Sequence, residues 1–356
     1  MGPSIIQVIQ EVFEQLTIPP AWGITNLVLI PKIAHPKAIT QFCLISLCNT
    51  LYKLLSCLLV QQLKPYIAEV INPCQAKFVP GRRTSDNIII VQEVIRTFKS
   101  RRGRDGHVAI KLDLEKAYDR LDWGFLKETL EFFQMPPSLI TLIMNMLSST
   151  RYHILWNGNP LPEVVPSRRL RQGDPLSPYL FILCLERLSI QLEEVVRDKI
   201  IHPIKFRERV QLSHLFFAND IFLFTKAKTR DCRNLRNILQ NFCDSSGQLI
   251  SVSKSKLWFS PSTPCCVKEQ VAGIFGITTT DRIGTYLGIL IFTTRRTAHS
   301  YQYLVDKIRL RIEGWKTKYL PWLVEPPSSK HLWPPYPSTP CKPRSSPKRS
   351  VIRLTN

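Results

Sequence analysis

The stretch that decides the fold runs from His214 to Phe224, "HLFFANDIFLF". Two short apolar runs flank a polar pair, Asn219–Asp220. Strand-favouring residues on either side of a brief polar break spell strand, tight turn, strand, with a carboxylate held at the tip. A second segment answers it. In "HVAIKLDLEKAYD" (107–119), Val108, Ile110, Leu112 and Leu114 fall on one side, and Ala109, Lys111 and Asp113 on the other. That alternation predicts a half-buried strand that delivers Asp113 to its polar face. Between the two acids in sequence lies a Gly/Pro loop, "RQGDPLSP" (171–178). A strand-end acid and a hairpin-tip acid, once brought together, form a hard, oxygen-rich site suited to magnesium. Paired magnesium ions are what an in-line phosphoryl transfer uses to stabilise its attacking and leaving oxygens. Each acid alone says little, because a single Asp at a strand end more often serves a turn or cap. Asp119 and Asp122 read as surface acids, and Lys254 by itself reads as a solvated lysine.

The rest of the chain fits a globular protein. It has 356 residues, 44% hydrophobic and 21% charged, enough for a sizeable core and two or three subdomains. Its 48 Lys and Arg against 27 Asp and Glu leave a net charge of +21, which points to a polyanionic partner, most often nucleic acid. The ten cysteines contain no C-x-x-C pair and no zinc-finger spacing to His, and read as buried or free thiols in a reducing compartment. The start lacks a signal-peptide layout, so a nuclear or cytoplasmic protein is expected, not a secreted one. "CLISLCNTLYKLLSCLLV" (43–60) carries Asn49 and Lys53 and reads as a core helix over Leu44 to Leu63, not a membrane span.

Other elements follow from local patterns. "ITNLVLIPK" (24–32) reads as an extended segment. A helix capped by Thr84 or Ser85 sets Ile88, Val91, Ile95 and Phe98 on one face. Another has Ser177 as N-cap and Pro178 in its first turn. A third sets Leu235, Ile238, Leu239 and Phe242 on one face and stops at Gly247. From about Leu320 the chain is rich in Pro, Ser, Lys and Arg without periodicity, and a disordered basic tail is expected.

Nine stretches, in order, carry a family resemblance: "NLVLIPK", "ISLCNTLYKLLS", "QAKFVPGRRTSDNI", "KLDLEKAYDRLDW", "RQGDPLSPYLFILCLE", "LSHLFFANDIFLF", "SGQLISVSKSK", "YLGI" and "IEGWKTKYL". From about Trp22 to Leu320 the chain resembles the reverse transcriptase domain of non-LTR (LINE-type) retrotransposons, especially their plant branch. Group II intron maturases and telomerases share the acids and the Gln-Gly loop, but the wording of "RQGDPLSPYLFILCLERL" and "YLGI" favours the LINE type.

The resemblance implies an α+β right-hand polymerase fold with an antiparallel palm sheet. Residues 1–105 become fingers and the start of the palm. Residues 106–260 become the palm with its catalytic motifs, 261–320 the palm end and a partial thumb, and 321–356 the tail. It implies an RNA-directed DNA polymerase that takes an RNA template, a DNA primer, deoxynucleoside triphosphates and two Mg2+ ions. By the same resemblance Asp113, Asn219 and Asp220 fall on the metal-binding acids, and Lys254 on the lysine that protonates the leaving pyrophosphate. Tyr118 matches the aromatic gate under the incoming sugar. Gln172 and Gly173 match the loop lining the nucleotide and template pocket, and Lys32 the lysine that meets the triphosphate.

This chain departs from the family at three places. Asn219 stands where the family has a second adjacent Asp, and an amide oxygen brings no charge to a metal. Cys43, in Phe-Cys-Leu-Ile-Ser, stands where the family usually has the Arg of Phe-Arg-Pro-Ile-Ser, and a thiol cannot replace a guanidinium fork. The family pattern also stops after "IEGWKTKYL", without the usual endonuclease and Cys/His regions. Weak or absent polymerisation is therefore expected. The alternatives are a non-catalytic nucleic-acid-binding remnant and a decayed product without function.

Overall fold

The computed structural model describes residues 2–38, 41–100, 106–156, 159–206, 210–281 and 283–291, with Gln302 and Asp306. The chain divides into two compact units, 1–295 and 296–356, and only those last two residues of the second are described. The expected tail lies outside the described residues.

The first unit opens with helices α1 (Gly2–Gln15) and α2 (Pro20–Gly23). Strands β1 (Ile24–Pro31) and β2 (Phe42–Cys48) pair antiparallel, and helices α3 (Thr50–Val70) and α4 (Thr84–Ser100) follow. Strand β3 (His107–Asp113) leads through the short α5 (Ala117–Arg120) to α6 (Trp123–Phe132) and α7 (Pro137–Ser148). Strands β4 (Arg151–Trp156) and β5 (Asn159–Pro160) extend the first sheet, whose order is β2-β1-β4-β5. Helix α8 (Ser177–Arg197) and the ribbon β6 (Ile204–Phe206) with β7 (Val210–Leu212) precede the hairpin of β8 (His214–Phe217) and β9 (Asp220–Lys226). Helix α9 (Thr229–Ser246), strand β10 (Lys256–Phe259), helix α10 (Cys265–Phe275) and the ribbon β11 (Thr285–Tyr286) with β12 (Ile289–Leu290) close it.

The central sheet, β10-β3-β9-β8, is wholly antiparallel. Both of its faces are covered, so β3 is not half-buried as its alternation suggested. Val108, Ile110, Leu112, Ile221 and Leu223 join one core with Leu126 and Leu130 of α6, Leu180 of α8, and Leu235 and Leu239 of α9. Ala109, Phe222, Phe224 and Trp258 join a second core against Ile88, Val91, Ile95 and Phe98 of α4. The supposedly polar face is therefore roofed by α4, and it opens only near Lys111 and Asp113.

Three local expectations shift. Leu44–Cys48 is strand, not helix, because it pairs along β1 with Leu29↔Leu44 and Leu27↔Ser46 opposed. The helix starts beyond it, where the Asn49 side chain accepts the Leu51 N–H (2.8 Å). Thr84 and Ser85 already lie inside α4, and Ser85 Oγ donates to Asp86 (3.2 Å). Ser177 is the first helical residue of α8, not its cap. The neighbouring acceptor is Asp174, which takes the Leu176 N–H (3.3 Å) and the Ser177 hydroxyl (3.4 Å). Helix α9 ends as expected at Gly247, with φ +73; a Cβ there would meet Arg120 O at 2.7 Å. Among the described residues, eight cysteines are free and no helix is long and apolar enough to cross a membrane.

Candidate active site

β3 and β9 are neighbours in register, and the register sets Asp113 directly opposite Asp220. Like charges opposed across a strand pair repel, so the fold bears a cost to hold them together. The hairpin that presents Asp220 is tighter than expected. Phe217 pairs with Asp220, so the turn is Ala218–Asn219 and Asp220 is already the first residue of β9. Ala218 has φ +52, a sign that favours glycine at the first central position of a hairpin turn. Asn219 is thus held in the turn, next to the acid pair and half-buried.

The chain after α9 returns to the same place. Ser251 N–H donates to Asp113 O (2.8 Å), and Asp113 N–H donates to Ser255 Oγ (3.3 Å). This pairing carries Lys254 to the site, with Nζ 3.5 Å from Asp113 Oδ2. Its side chain is 71% exposed, so the ion pair is weak and the ammonium is free to move. Burial pushes the Asp220 carboxyl upward; Lys111 opposes that, Asp113 adds to it, and Lys77 opposes it.

Tyr118 sits on α5 with its ring stacked on buried Phe181 at 5.0 Å, and burial raises its phenol to about 12. The Leu170 N–H donates to Tyr118 O (2.7 Å), tying α5 to the loop that contains Gln172 and Gly173. Gln172 O accepts the Ser46 N–H of β2 (3.1 Å). Gly173 has φ +111, and a Cβ on it would lie 3.1 Å from Ser46 O. Lys32 lies elsewhere, just past β1 in the first sheet, exposed, with its N–H on Gln41 O (2.8 Å). Cys43 lies on β2 opposite Ile30. The structure therefore gathers Asp113, Asn219, Asp220 and Lys254, links Tyr118 to the Gln172–Gly173 loop, and leaves Lys32 in a different sheet.

Several supporting residues escaped the sequence reading. Arg171 is 1% exposed, with its guanidinium carbon 3.8 Å from the Tyr52 ring centre and Nε on Thr150 Oγ1 (2.9 Å). Buried Gln248 donates to Ala117 O (2.9 Å), fixing α5 beneath Tyr118. Gln75 Oε1 accepts the Ala218 N–H (3.2 Å) at the turn itself. Arg171 and Asp174 flank the Gln-Gly pair in "RQGDP", so their proximity was visible; Gln75 and Gln248 gave no local signal.

The two opposed carboxylates are hard oxygen ligands, and the neighbouring Asn219 carries an amide oxygen of the same class, a donor set that suits a divalent cation such as magnesium or calcium. Among the described residues no group of three or more His, Cys, Asp or Glu is arranged to hold a metal ion.

Residues 31–304 match the family described as "Reverse transcriptase (RNA-dependent DNA polymerase)". Over 255 residues the chain is 28% identical to the "Transposon TX1 uncharacterized 149 kDa protein" of Xenopus laevis, covering 72% of this chain and 19% of that one. Over 211 residues it is 29% identical to the "Retrovirus-related Pol polyprotein from type-2 retrotransposable element R2DM" of Drosophila melanogaster, covering 59% and 19%. The chain thus spans about a fifth of the length of these two relatives. Among solved structures, apo telomerase of Candida tropicalis, truncated from its C-terminal domain, aligns with TM-score 0.48 and 13% identity over 69% of this chain and 52% of that one. The family match covers well over half of the 356 residues, and the chain belongs to the reverse transcriptase family, with its right-hand polymerase fold.

Proposed function

We propose that this domain is built for RNA-directed DNA synthesis from deoxynucleoside triphosphates on an RNA template and DNA primer, with magnesium as its divalent ion, and that this chain carries it out weakly or not at all. One observation supports both halves: Asp113 faces Asp220 across β3 and β9, while the turn between β8 and β9 offers Asn219. In the reaction the primer 3′ oxygen bonds to the α-phosphorus and pyrophosphate leaves. When bound, divalent ions lower the charge on the attacking and leaving oxygens. Asp113 and Asp220 would hold them, and Asn219 adds an uncharged oxygen. Lys254, exposed beside Asp113, would donate a proton to the leaving pyrophosphate. The Tyr118 ring, backed by Phe181, gives the incoming sugar a firm floor that excludes a 2′-hydroxyl. Gln172 and Gly173 would line the nucleotide and template pocket, and the missing Cβ of Gly173 lets the loop pack close to Ser46 O of β2. Lys32 meets the triphosphate from the fingers, and Cys43 supplies no cation there. Residues 1–105 serve as fingers and palm start, 106–260 as the palm, and 261–320 as palm end and partial thumb, of which 292–320, save Gln302 and Asp306, lie outside the described residues.

Losing one uncharged donor to a developing oxyanion costs about 10²–10³ in rate, and a missing charged metal ligand should cost at least as much. Primer extension on an RNA template with Mg2+, then Mn2+, tests the proposal. This chain is run beside Asn219→Asp and Asp113→Ala, with deamidation of Asn219 excluded by mass spectrometry. Synthesis by Asn219→Asp alone supports the reading. Robust synthesis by the parent, or by Asp113→Ala, overturns it. A second reading, a nucleic-acid binder without catalysis, is favoured by the +21 charge, which neither substitution removes. Salt-dependent binding with no synthesis from any variant would select it.

A further inference from the structure

The turn that presents the acid pair is held by a residue outside the catalytic motifs. Ala218 takes a left-handed φ of +52, and an L-residue there costs about 1–2 kcal/mol, so something must hold it. Its N–H donates to Gln75 Oε1 (3.2 Å). The segment around Gln75 lies along the outer edge of β8: Phe216 N–H donates to Cys74 O (2.8 Å), and Ala76 N–H donates to Phe216 O (3.2 Å). Arg82 locks that segment by donating to Gln75 O and Ile71 O, both at 2.6 Å. The same Gln75 Oε1 accepts the Lys77 N–H (3.2 Å). Lys77 Nζ then lies 5.1 Å from the ring centre of Phe217, the strand partner of Asp220.

Gln75 is 1% exposed, and among the described residues its Nε2 has no hydrogen-bond partner. A methionine of similar shape would relieve the unpaired Nε2 but strip the acceptor from the buried Ala218 N–H, so its two effects on stability oppose one another. We propose that Gln75 is a positioning residue: its carboxamide oxygen fixes the Ala218–Asn219 turn and thereby the height of Asp220 opposite Asp113. The proposal rests on the reading of that pair as the metal-binding acids.

Amide exchange with metal titration separates a positioning role for Gln75 from a merely structural one. In the parent chain, Gln75→Met is expected to keep its melting temperature within a few degrees while Ala218 exchanges at least tenfold faster. Gln75→Glu, which keeps an acceptor oxygen, is expected to retain slow exchange. In an Asn219→Asp background, Gln75→Met is expected to weaken Mn2+ binding about fivefold or more. Unchanged exchange at Ala218 overturns the proposal, as does unchanged Mn2+ affinity in an Asn219→Asp protein that binds the ion. If Asn219→Asp binds no Mn2+, the acid-pair reading fails and the positioning role falls with it.

Discussion

Asp174 and Asp220 make a useful pair. Burial pushes both carboxyls upward, yet their neighbours differ in kind. Asp174, 3% exposed, accepts from the Leu176 amide and the Ser177 hydroxyl and feels the nearby Arg171 cation. Asp220 is half-buried and faces a second carboxylate, with Lys111 and Lys77 relieving it. The first carboxylate is sealed into a network of donors, and such a group serves folding. The second is held against its own kind with room left for something else. That arrangement lowers stability, and a bound cation would offset the repulsion. The contrast is between a satisfied acid and an opposed one.

The sharpest way to break the contrast is to open the sealed network. Arg171→Met removes a buried cation that lies near Asp174. A loss of about 3–5 kcal/mol is expected, read as a drop in the urea midpoint. A change under about 1 kcal/mol would show that the loop is not held by charge.

Glu186 supplies a second, pH-dependent test of what burial does to an acid with no chemistry to perform. It is 3% exposed on α8, and burial raises its carboxyl to about 8. Its neighbour Ser189 bonds His214 (2.9 Å), whose pKa burial lowers to about 4. Because the folded-state value of Glu186 lies above the ordinary carboxylate value, its contribution is full at low pH and is lost as pH rises from about 4.5 to 8. Glu186→Gln mimics the protonated form. It is expected to match the parent below about pH 4.5 and to be more stable by at least about 1 kcal/mol at pH 9. Equal stability at pH 9 would mean that the carboxyl ionises in the fold without penalty.

Lys254→Ala should have the smallest effect on folding. An exposed ion pair contributes under about 0.5 kcal/mol, so thermal stability should hold while extension by an Asn219→Asp background slows. A large fall in stability would make Lys254 a structural partner of Asp113.

Where the sequence could be read, the signal was local. The alternation of β3, the hairpin at 214–224, the apolar faces of α4 and α9, and the stop at Gly247 each repeat over a few residues. Leu44–Cys48 misled because a short apolar run fits a helix or a strand equally well, and its partner β1 decided the matter. Ala109 misled because nothing in β3 announces that α4 covers its second face. Gln75 meets Ala218 across 143 residues, and Gln248 meets Ala117 across 131, so no window of sequence contains either pair. Asn219 was legible as a departure only against the family pattern; as a local residue it is an ordinary turn former.

The central claim is that the fold still presents a cation site and that one missing charge has weakened it. Mn2+ titration followed by electron paramagnetic resonance on the parent, Asn219→Asp and Asp113→Ala addresses it without needing catalysis. Ligand charge count sets divalent affinity, so Asn219→Asp should bind at least about tenfold tighter than the parent, and Asp113→Ala should bind weakest of the three. If the parent binds Mn2+ as tightly as Asn219→Asp, the missing carboxylate is not what separates this chain from an active polymerase.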